Sequence, residues 1–110
     1  MHINSLKTYQ ICPPYCDFNS LILARYHGSA MQKRTIYVIT TNTGLEGIGE
    51  SIGETPESDS LCEKFIGTSP FDWINSEEDL ALNMACYDLM GKSLGLPAWK
   101  LIGPQFRKWI

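Results

Sequence analysis

The sequence predicts an α+β domain, with strands in the first half of the chain and helices in the second. Three observations support this prediction: segments rich in β-forming residues, a tight-turn signal among them, and helical periodicity in the last third. The chain has 110 residues, 44% of them hydrophobic and 19% charged, which is typical of one globular domain. It is far too short for a (β/α)₈ barrel, which takes about 250 residues.

The predicted strands follow one another closely. The strand-like segments are residues 2–11, 20–26 and 34–41, with a returning segment at residues 45–51. Asn42-Thr43-Gly44 predicts a tight hairpin, because a glycine readily supplies the positive φ that such turns need. We therefore expect three antiparallel strands, within residues 2–11, 20–29 and 32–52, the last taken with its hairpin.

A short helix is predicted after the strands. Thr55-Pro56-Glu57 is typical of a helix start, with threonine as N-cap, proline at the first position and an acid in the first turn. The helix should run to about Phe65 and stop at Gly67.

The clearest helix signal covers residues 77–94. Ser76 is the predicted N-cap, and the acids Glu77 to Asp79 suit the positive end of the helix dipole, so they indicate capping and not a metal site. Gly95, with Pro97 two residues later, predicts the end of the helix. Gly91, inside it, costs about 1 kcal/mol relative to alanine, which indicates close packing there.

Charge and hydropathy exclude several classes of function. A net charge of -3 without a basic cluster disfavours binding to nucleic acid. The longest apolar runs have four residues, far short of the ~20 that cross a bilayer. The first seven residues lack the features of a secretion signal, so we expect a cytoplasmic protein.

The four cysteines are scattered, and we expect free thiols at Cys12, Cys16, Cys62 and Cys86. Three residues separate Cys12 from Cys16, whereas redox and zinc motifs usually have two. A zinc site would also have to collect its ligands from unconnected places, so none is expected.

Two strings in the sequence identify a family resemblance. Thr43-Gly44-Leu45-Glu46-Gly47-Ile48-Gly49-Glu50-Ser51 resembles the hairpin whose Gly-x-Gly-Glu ends the third strand in the N-terminal capping domain of the enolase superfamily. Tyr87-Asp88-Leu89-Met90-Gly91-Lys92-Ser93-Leu94-Gly95-Leu96-Pro97, with Leu101-Ile102-Gly103 after it, resembles the helix end and exit of the same domain. The mandelate racemase and muconate lactonizing enzyme group is the most similar branch.

The resemblance implies a three-stranded antiparallel meander followed by a small helical bundle. Residues 1–103 would form the capping domain, and residues 104–110 would begin the linker toward a barrel that is absent from this chain. The parent chemistry would be Mg²⁺-assisted abstraction of a proton α to the carboxylate of a small substrate, by a racemase, cycloisomerase or dehydratase. The family's catalytic residues and metal ligands lie on the barrel, so we expect no catalytic residue and no bound Mg²⁺ in this chain.

The resemblance also implies that two loops help to select the substrate. They follow the first and third strands, and the candidate substrate contacts on them are Tyr15, Phe18, Ser51 and Ile52. The other conspicuous side chains are expected to be structural. Glu50 should have a surface or hydrogen-bonded structural role. Asp88 and Lys92 should form an i,i+4 ion pair that in the family belongs to the contact with the barrel, and the three tryptophans should pack in the core or between domains.

The expected partner is the barrel domain of the parent enzyme, or a second copy of the chain. Self-association would use residues that the resemblance places at the exit toward the barrel: Gly91, Leu96, Trp99, Leu101 and Ile102. Two alternatives stay open. One is a stand-alone interaction module, and the other is a small-ligand α+β domain unrelated to enolases, which a strand order other than a meander would favour.

Overall fold

The computed structural model describes residues 1–29, 31–53, 63–76 and 79–109. Its strands and helices are β1 (Ile3–Ile11), α1 (Asp17–His27), β2 (Arg34–Thr41), β3 (Glu46–Ile52), a 3₁₀ helix (Pro70–Trp73), α2 (Leu80–Leu94) and α3 (Trp99–Ile102). The sheet has the order β1-β2-β3 with both pairs antiparallel, so it is a simple meander. The α+β fold class expected from the sequence is confirmed.

The hairpin between β2 and β3 lies where the sequence predicted it. Gly44 has a φ of 81°, and its N–H donates to the carbonyl oxygen of Thr41 at 3.0 Å. Along β2, alternate side chains are buried, starting with Thr35 and including Tyr37 and Ile39. This alternation defines a core face and an open face of the sheet.

The prediction of a strand at residues 20–26 is wrong, because this segment belongs to α1. Leu21, Ile22 and Leu23 favour a strand by propensity, but β1 pairs directly with β2 and leaves no partner for a strand between them. Local signals support the helix instead. Asp17 stands in its first turn, basic residues stand in its last turn, and Gly28 ends it with a φ of 70°.

Helix α2 packs against the core face of the sheet through two glycines of β3. A Cβ atom built on Gly49 would overlap the carbonyl oxygen of Ala81, and one on Gly47 would overlap that of Ala85. The helix and the strand therefore touch backbone to backbone. The core that they enclose comprises Ile3, Tyr37, Ile39, Phe65, Ala81, Leu82, Ala85, Cys86, Leu89 and Met90.

The N-terminus of α2 differs from the prediction. The helix begins at Leu80, and its N-cap is Asp79, whose carboxylate accepts from the N–H of Leu82 at 2.8 Å; the cap is not Ser76. The C-terminus is confirmed, since Gly95 has a φ of 65° and donates to carbonyls of the last turn. Gly91 is buried, and a Cβ there would come within 2.7 Å of the Leu96 oxygen, which explains the glycine inside the helix.

The segment before α2 closes the open end of the core. The rings of Phe65 and Trp73 are stacked with centroids 3.9 Å apart, and the Trp73 indole N–H donates to the Thr68 hydroxyl at 2.7 Å. Ile3 of β1 donates to the Thr68 carbonyl at 2.8 Å, which joins this segment to the sheet. Trp73 thus has the packing role expected for it.

The predicted helix start at Thr55-Pro56-Glu57 lies outside the described residues. Residues 63–65 are helical, and Gly67 has a φ of 86°, so the predicted end is confirmed. Among the described parts of the chain, no helix is both long and apolar enough to cross a membrane.

Candidate functional site

The two loops that the sequence singled out leave the sheet at the same end. Ile11 pairs with Arg34, and Arg34 pairs with Ile52, so β1 and β3 finish beside the start of β2. The loop after β1 and the loop after β3 are therefore neighbours. We call this part of the molecule the loop end of the sheet.

Backbone hydrogen bonds hold both loops to the segment that leads into β2. The Pro13 carbonyl accepts from the N–H of Gln32 at 2.9 Å, and the N–H of Gly53 donates to the Lys33 carbonyl at 2.8 Å. The buried hydroxyl of Thr35 lies 2.9 Å from the Gly53 carbonyl and 3.0 Å from Oε1 of Gln10. One short stretch of chain thus fixes the positions of both loops.

The four candidate substrate contacts all lie at or next to the loop end. Tyr15 is on the loop before α1 and Ser51 is near the end of β3, and both are half-buried. Phe18 lies in the first turn of α1 and not on a loop, and its side chain is 76% exposed. Ile52 ends β3 and is 83% exposed. The fold brings these residues to one end of the domain, and their role in binding stays a prediction.

The four candidate side chains at the loop end could line one side of a ligand site, and we call them the wall. Phe18 and Ile52 offer exposed apolar surface, and Tyr15 and Ser51 add hydroxyl groups. No group of three His, Cys, Asp or Glu side chains in the described ranges could hold a metal ion. Apolar surface with a few hydroxyl groups is typical of residues that contact a small ligand.

Glu50 has the structural role expected for it. Its carboxylate lies 2.7 Å from Nε of Arg34 on the neighbouring strand, so the two form a cross-strand ion pair. Because Arg34 is only about one-fifth exposed and Glu50 is half-exposed, the pair holds the strands together near the loop end.

Asp88 and Lys92 form the expected i,i+4 ion pair at 2.8 Å, and they also bind the backbone of β3. The N–H of Ile48 donates to the Asp88 carboxylate at 3.0 Å, and Lys92 donates to the Glu46 carbonyl at 2.7 Å. Since β3 is an edge strand, these side chains satisfy backbone groups that would otherwise be open to another strand. This role was not predicted from the sequence, although the outward backbone groups of a predicted edge strand could have indicated it.

A shallow apolar groove of about 380 Å³ lies beside this ion pair. Its walls include the exposed side chains Leu80 and Met84 of α2, Ile48 of β3 and Ile102 of α3. A second groove, of about 500 Å³, lies between Trp99 and residues 102–107. Both grooves border α3.

The residues expected to drive self-association divide into two groups. Gly91 is buried, and Leu101 packs against the core, so neither is free to contact a partner. Leu96, Trp99 and Ile102 are 40%, 45% and 73% exposed, respectively. Of these residues, only Leu96, Trp99 and Ile102 therefore have enough exposed surface to contact a partner.

The described cysteines are unpaired, as expected. Cys12 and Cys16 are exposed and Cys86 is buried, whereas Cys62 lies outside the described residues. Burial in the core raises the pKa of the Cys86 thiol to about 12, because desolvation disfavours the thiolate.

A three-stranded meander with a helix packed on one face matches the fold that the resemblance to the N-terminal capping domain of the enolase superfamily implied. No protein-family profile matches the sequence, and no curated protein sequence matches it. Solved structures of superfamily members establish the likeness in fold.

Three of these structures illustrate the likeness. An isomerase from Streptomyces coelicolor A3(2) matches 96% of this chain with 32% of its own, at 24% identity and a TM-score of 0.71. For the dipeptide epimerase from Enterococcus faecalis V583 the shares are 94% and 33%, with 24% identity and a TM-score of 0.67. For the N-succinyl Arg/Lys racemase from Bacillus cereus ATCC 14579 they are 98% and 35%, with 23% identity and a TM-score of 0.68.

The chain therefore spans about a third of the solved structures that it matches. The dipeptide epimerase has also been solved in complex with Mg and the dipeptide L-Leu-L-Tyr.

Proposed function

We propose that this protein is the capping domain of an enolase-superfamily enzyme of the mandelate racemase and muconate lactonizing type. In this proposal it covers the mouth of a (β/α)₈ barrel that carries the chemistry, and it helps to select a small carboxylate substrate. One observation carries the proposal: nearly the whole chain matches one third of several racemases, epimerases and isomerases. The remaining two thirds of those proteins have room for a barrel, and these 110 residues do not.

The parent reaction in this proposal is abstraction of a proton α to a carboxylate, as in a racemase, a cycloisomerase or a dehydratase. Mg²⁺ would stabilise the enediolate. The described residues do not fit this ion, since they provide no cluster of ligands for it. We therefore assign Mg²⁺ and the acid–base groups to the barrel and assign this chain a role in enclosing the substrate.

The loop end of the sheet is the part of the chain that we assign to the substrate. Tyr15, Phe18, Ser51 and Ile52 would contribute the wall described above. Because both loops are hydrogen-bonded to the start of β2, a displacement of one loop should be transmitted to the other. A pocket closed by such a wall would be dry, which strengthens electrostatic interactions inside it.

The apolar groove beside Asp88 and Lys92 is the surface that we assign to the barrel. It borders α3, after which residues 103–109 contain neither helix nor strand and would lead toward the barrel. Leu80 and Ile102 are 77% and 73% exposed, and such side chains gain the most free energy when a partner covers them. We also propose that the protein is cytoplasmic, because unpaired thiols such as Cys12 and Cys16 stay reduced in that compartment.

The test begins with the reading frame that encodes this chain and its neighbours in the genome. We expect βα repeats with a carboxylate triad, either continuous with Ile110 or in an adjacent frame. The protein containing both parts, incubated in D₂O with Mg²⁺ and a panel of dipeptides, N-acyl amino acids and 2-hydroxy acids, should exchange the α-hydrogen of at least one of them.

The 110-residue chain alone serves as the control and should exchange none of these substrates. Titration calorimetry should also detect no micromolar site for Mg²⁺ in it. A tight Mg²⁺ site in the chain alone, or a genome without any barrel for it, would contradict the proposal and favour a stand-alone interaction module.

A further inference from the structure

The face of the sheet opposite α2 has an unusual composition for a surface in water. Alternation along the strands places Ile36 and Val38 of β2 at its centre, because the neighbouring positions Tyr37 and Ile39 face the core. An open face of an antiparallel sheet is normally polar. Here the central pair is aliphatic and only half-buried.

The strands on either side extend this apolar surface. Tyr9 and Ile11 of β1 are 51% and 43% exposed, and Ile48 and Ile52 of β3 are 52% and 83% exposed. The pairing register places Tyr9 beside Ile36 and Ile48 beside Val38. It places Ile11 and Ile52 on either side of Arg34. Together with Ile36 and Val38, they form the apolar part of the open face.

The charges on the open face are segregated by strand. Lys7 lies on β1, whereas Glu46 and Glu50 lie on β3. Glu50 is paired with Arg34 of its own chain, but neither Lys7 nor Glu46 has an ion-pair partner within the described residues. One lateral edge of the face is therefore basic and the other is acidic.

We propose that two copies of this protein pair through their open faces, around a two-fold axis parallel to the strands. That axis lays β1 of each copy over β3 of the other, so Lys7 of one copy falls between Glu46 and Glu50 of the second. A two-fold axis perpendicular to the strands would instead place the acidic strand β3 of one copy over β3 of the other. Charge complementarity therefore favours a second copy as the partner and an axis parallel to the strands.

The backbone edge of β3 does not offer an alternative route to pairing. Asp88 and Lys92 already bind the outward backbone groups of Ile48 and Glu46. On the β3 side, these contacts hinder the addition of another strand, so a second copy would add a layer to the sheet more easily there. Sheets that pack in this way stand about 10 Å apart with their strands nearly aligned.

The size of the face sets the expected strength of the dimer. Three strands about 4.8 Å apart and about 27 Å long give roughly 400 Å² of flat area per copy. The total of roughly 800 Å² is smaller than a standard specific interface and fits only a weak contact, so we expect a reversible dimer with a dissociation constant of about 100 μM.

The test is sedimentation equilibrium of the whole protein over a range of concentrations up to the millimolar level. Lys7→Glu and Glu46→Lys, each alone, turn two symmetry-related attractions into repulsions and should raise the dissociation constant about tenfold. The double variant restores opposite charges across the axis, and its dissociation constant should return to near that of the unchanged protein. Both residues are exposed, and circular dichroism should show that the fold is intact in all variants.

Met84→Gln is the matched control, because Met84 is exposed in the groove that we assign to the barrel. It should leave the dissociation constant unchanged. A strictly monomeric protein at millimolar concentration would overturn the proposal. So would a dimer that responds to Met84→Gln and not to Lys7→Glu, or a double variant that is no tighter than the single ones. The inference does not rest on the proposed function, because none of these measurements involves a barrel or a substrate.

Discussion

Gly47 and Gly49 determine how closely β3 and α2 can approach. Both glycines have ordinary strand conformations, so the requirement for glycine comes from space and not from a positive φ. A Cβ at position 49 would overlap the Ala81 carbonyl oxygen and come within 2.8 Å of the carbonyl carbon. Backbone atoms of a helix cannot rotate away as a side chain can, so the helix would have to move as a whole.

We predict that Gly49→Ala lowers the free energy of unfolding by about 3 kcal/mol, the upper part of the range for overpacked cores. Gly103→Ala is the control, because a Cβ there meets nothing within 4 Å and the backbone is extended. It should change the stability by less than about 0.5 kcal/mol. Urea denaturation of both variants measures the difference, and equal stabilities would mean that the helix can shift at little cost.

The buried thiol of Cys86 gives a prediction for alkaline pH. The unfolded chain loses this proton near the ordinary pKa of 9.0, whereas the folded protein keeps it to about 12. The stabilisation is therefore complete below pH 9 and is lost as the pH rises toward 12. Near pH 10.5 the loss from this group should be about 2 kcal/mol.

Comparison with Cys86→Ala separates this effect from the titration of lysines and tyrosines. The variant is less stable at neutral pH because it loses packing, but its stability should fall less steeply above pH 9. Equal slopes for the two proteins would show that the thiol is not protected by burial. Alkylation of the native protein provides a second measurement, since Cys12 and Cys16 should react while Cys86 stays protected until denaturant is added.

Among the elements, α1 is unusual because none of its 11 residues is buried. Three of its apolar side chains, Phe18, Leu21 and Tyr26, are about three-quarters exposed, whereas Ile22 is 40% exposed and Leu23 is half-buried. Short isolated helices are marginal in water, and most helical stability in proteins comes from a packed face. Within the described part of the chain, α1 therefore has little packing and is supported mainly by its end signals, Asp17 and Gly28.

Hydrogen exchange should distinguish α1 from α2. Amides of α1 are expected to exchange through local opening, at least 100-fold faster than those of α2 around Leu82 to Leu89, which lie in the core. Mass spectrometry of peptides from the two helices measures this ratio. Similar protection in both would mean that something covers α1 in solution, and the same experiment at increasing protein concentration would show whether a second copy does so.

The sequence predicted those elements whose signals are local. The hairpin at Gly44 and the end of α2 at Gly95 depend on single residues with positive φ, and both were found where expected. Residues 20–26 were assigned wrongly because their strand propensity is a local signal, whereas the pairing of β1 with β2 that excludes a strand there is not. Similarly, the ion pair of Asp88 and Lys92 was visible from its spacing, but its contact with β3 depends on how the helix packs.

For the candidate site, the sequence placed the two loops through the family resemblance, and the register of the sheet shows that they share one end. Propensity could not predict that Phe18 lies on a helix, since α1 has no packed face and hence no strong periodic pattern. The anchoring of both loops by Thr35 was also invisible, because a threonine within a strand looks like any other strand residue.

On the scale of the whole molecule, one helix on a three-stranded sheet encloses only a small core. Large apolar side chains are left at the loop end, on the open face and in the grooves near α3. These surfaces adjoin one another along β3, because Ile52 belongs to the loop end and the open face, and Ile48 belongs to the open face and the groove. We assign the loop end to substrate, the open face to a second copy and the groove to a barrel. Substitutions on these surfaces should therefore impair substrate selection, dimerisation and contact with the barrel, respectively.

The loop end can be tested in the enzyme that contains both cap and barrel. Tyr15→Ala and Phe18→Ala remove aromatic surface from the proposed wall while leaving the barrel's acid–base groups in place, so KM should rise about tenfold or substrate preference should change. Tyr26→Ala is the matched control, because Tyr26 is as exposed as Phe18 but lies at the other end of α1. Exchange of the α-hydrogen under saturating substrate should persist in all three variants. Loss of that exchange would mean that the aromatics position the reacting groups, and unchanged kinetics in both test variants would mean that the loop end does not contact the substrate.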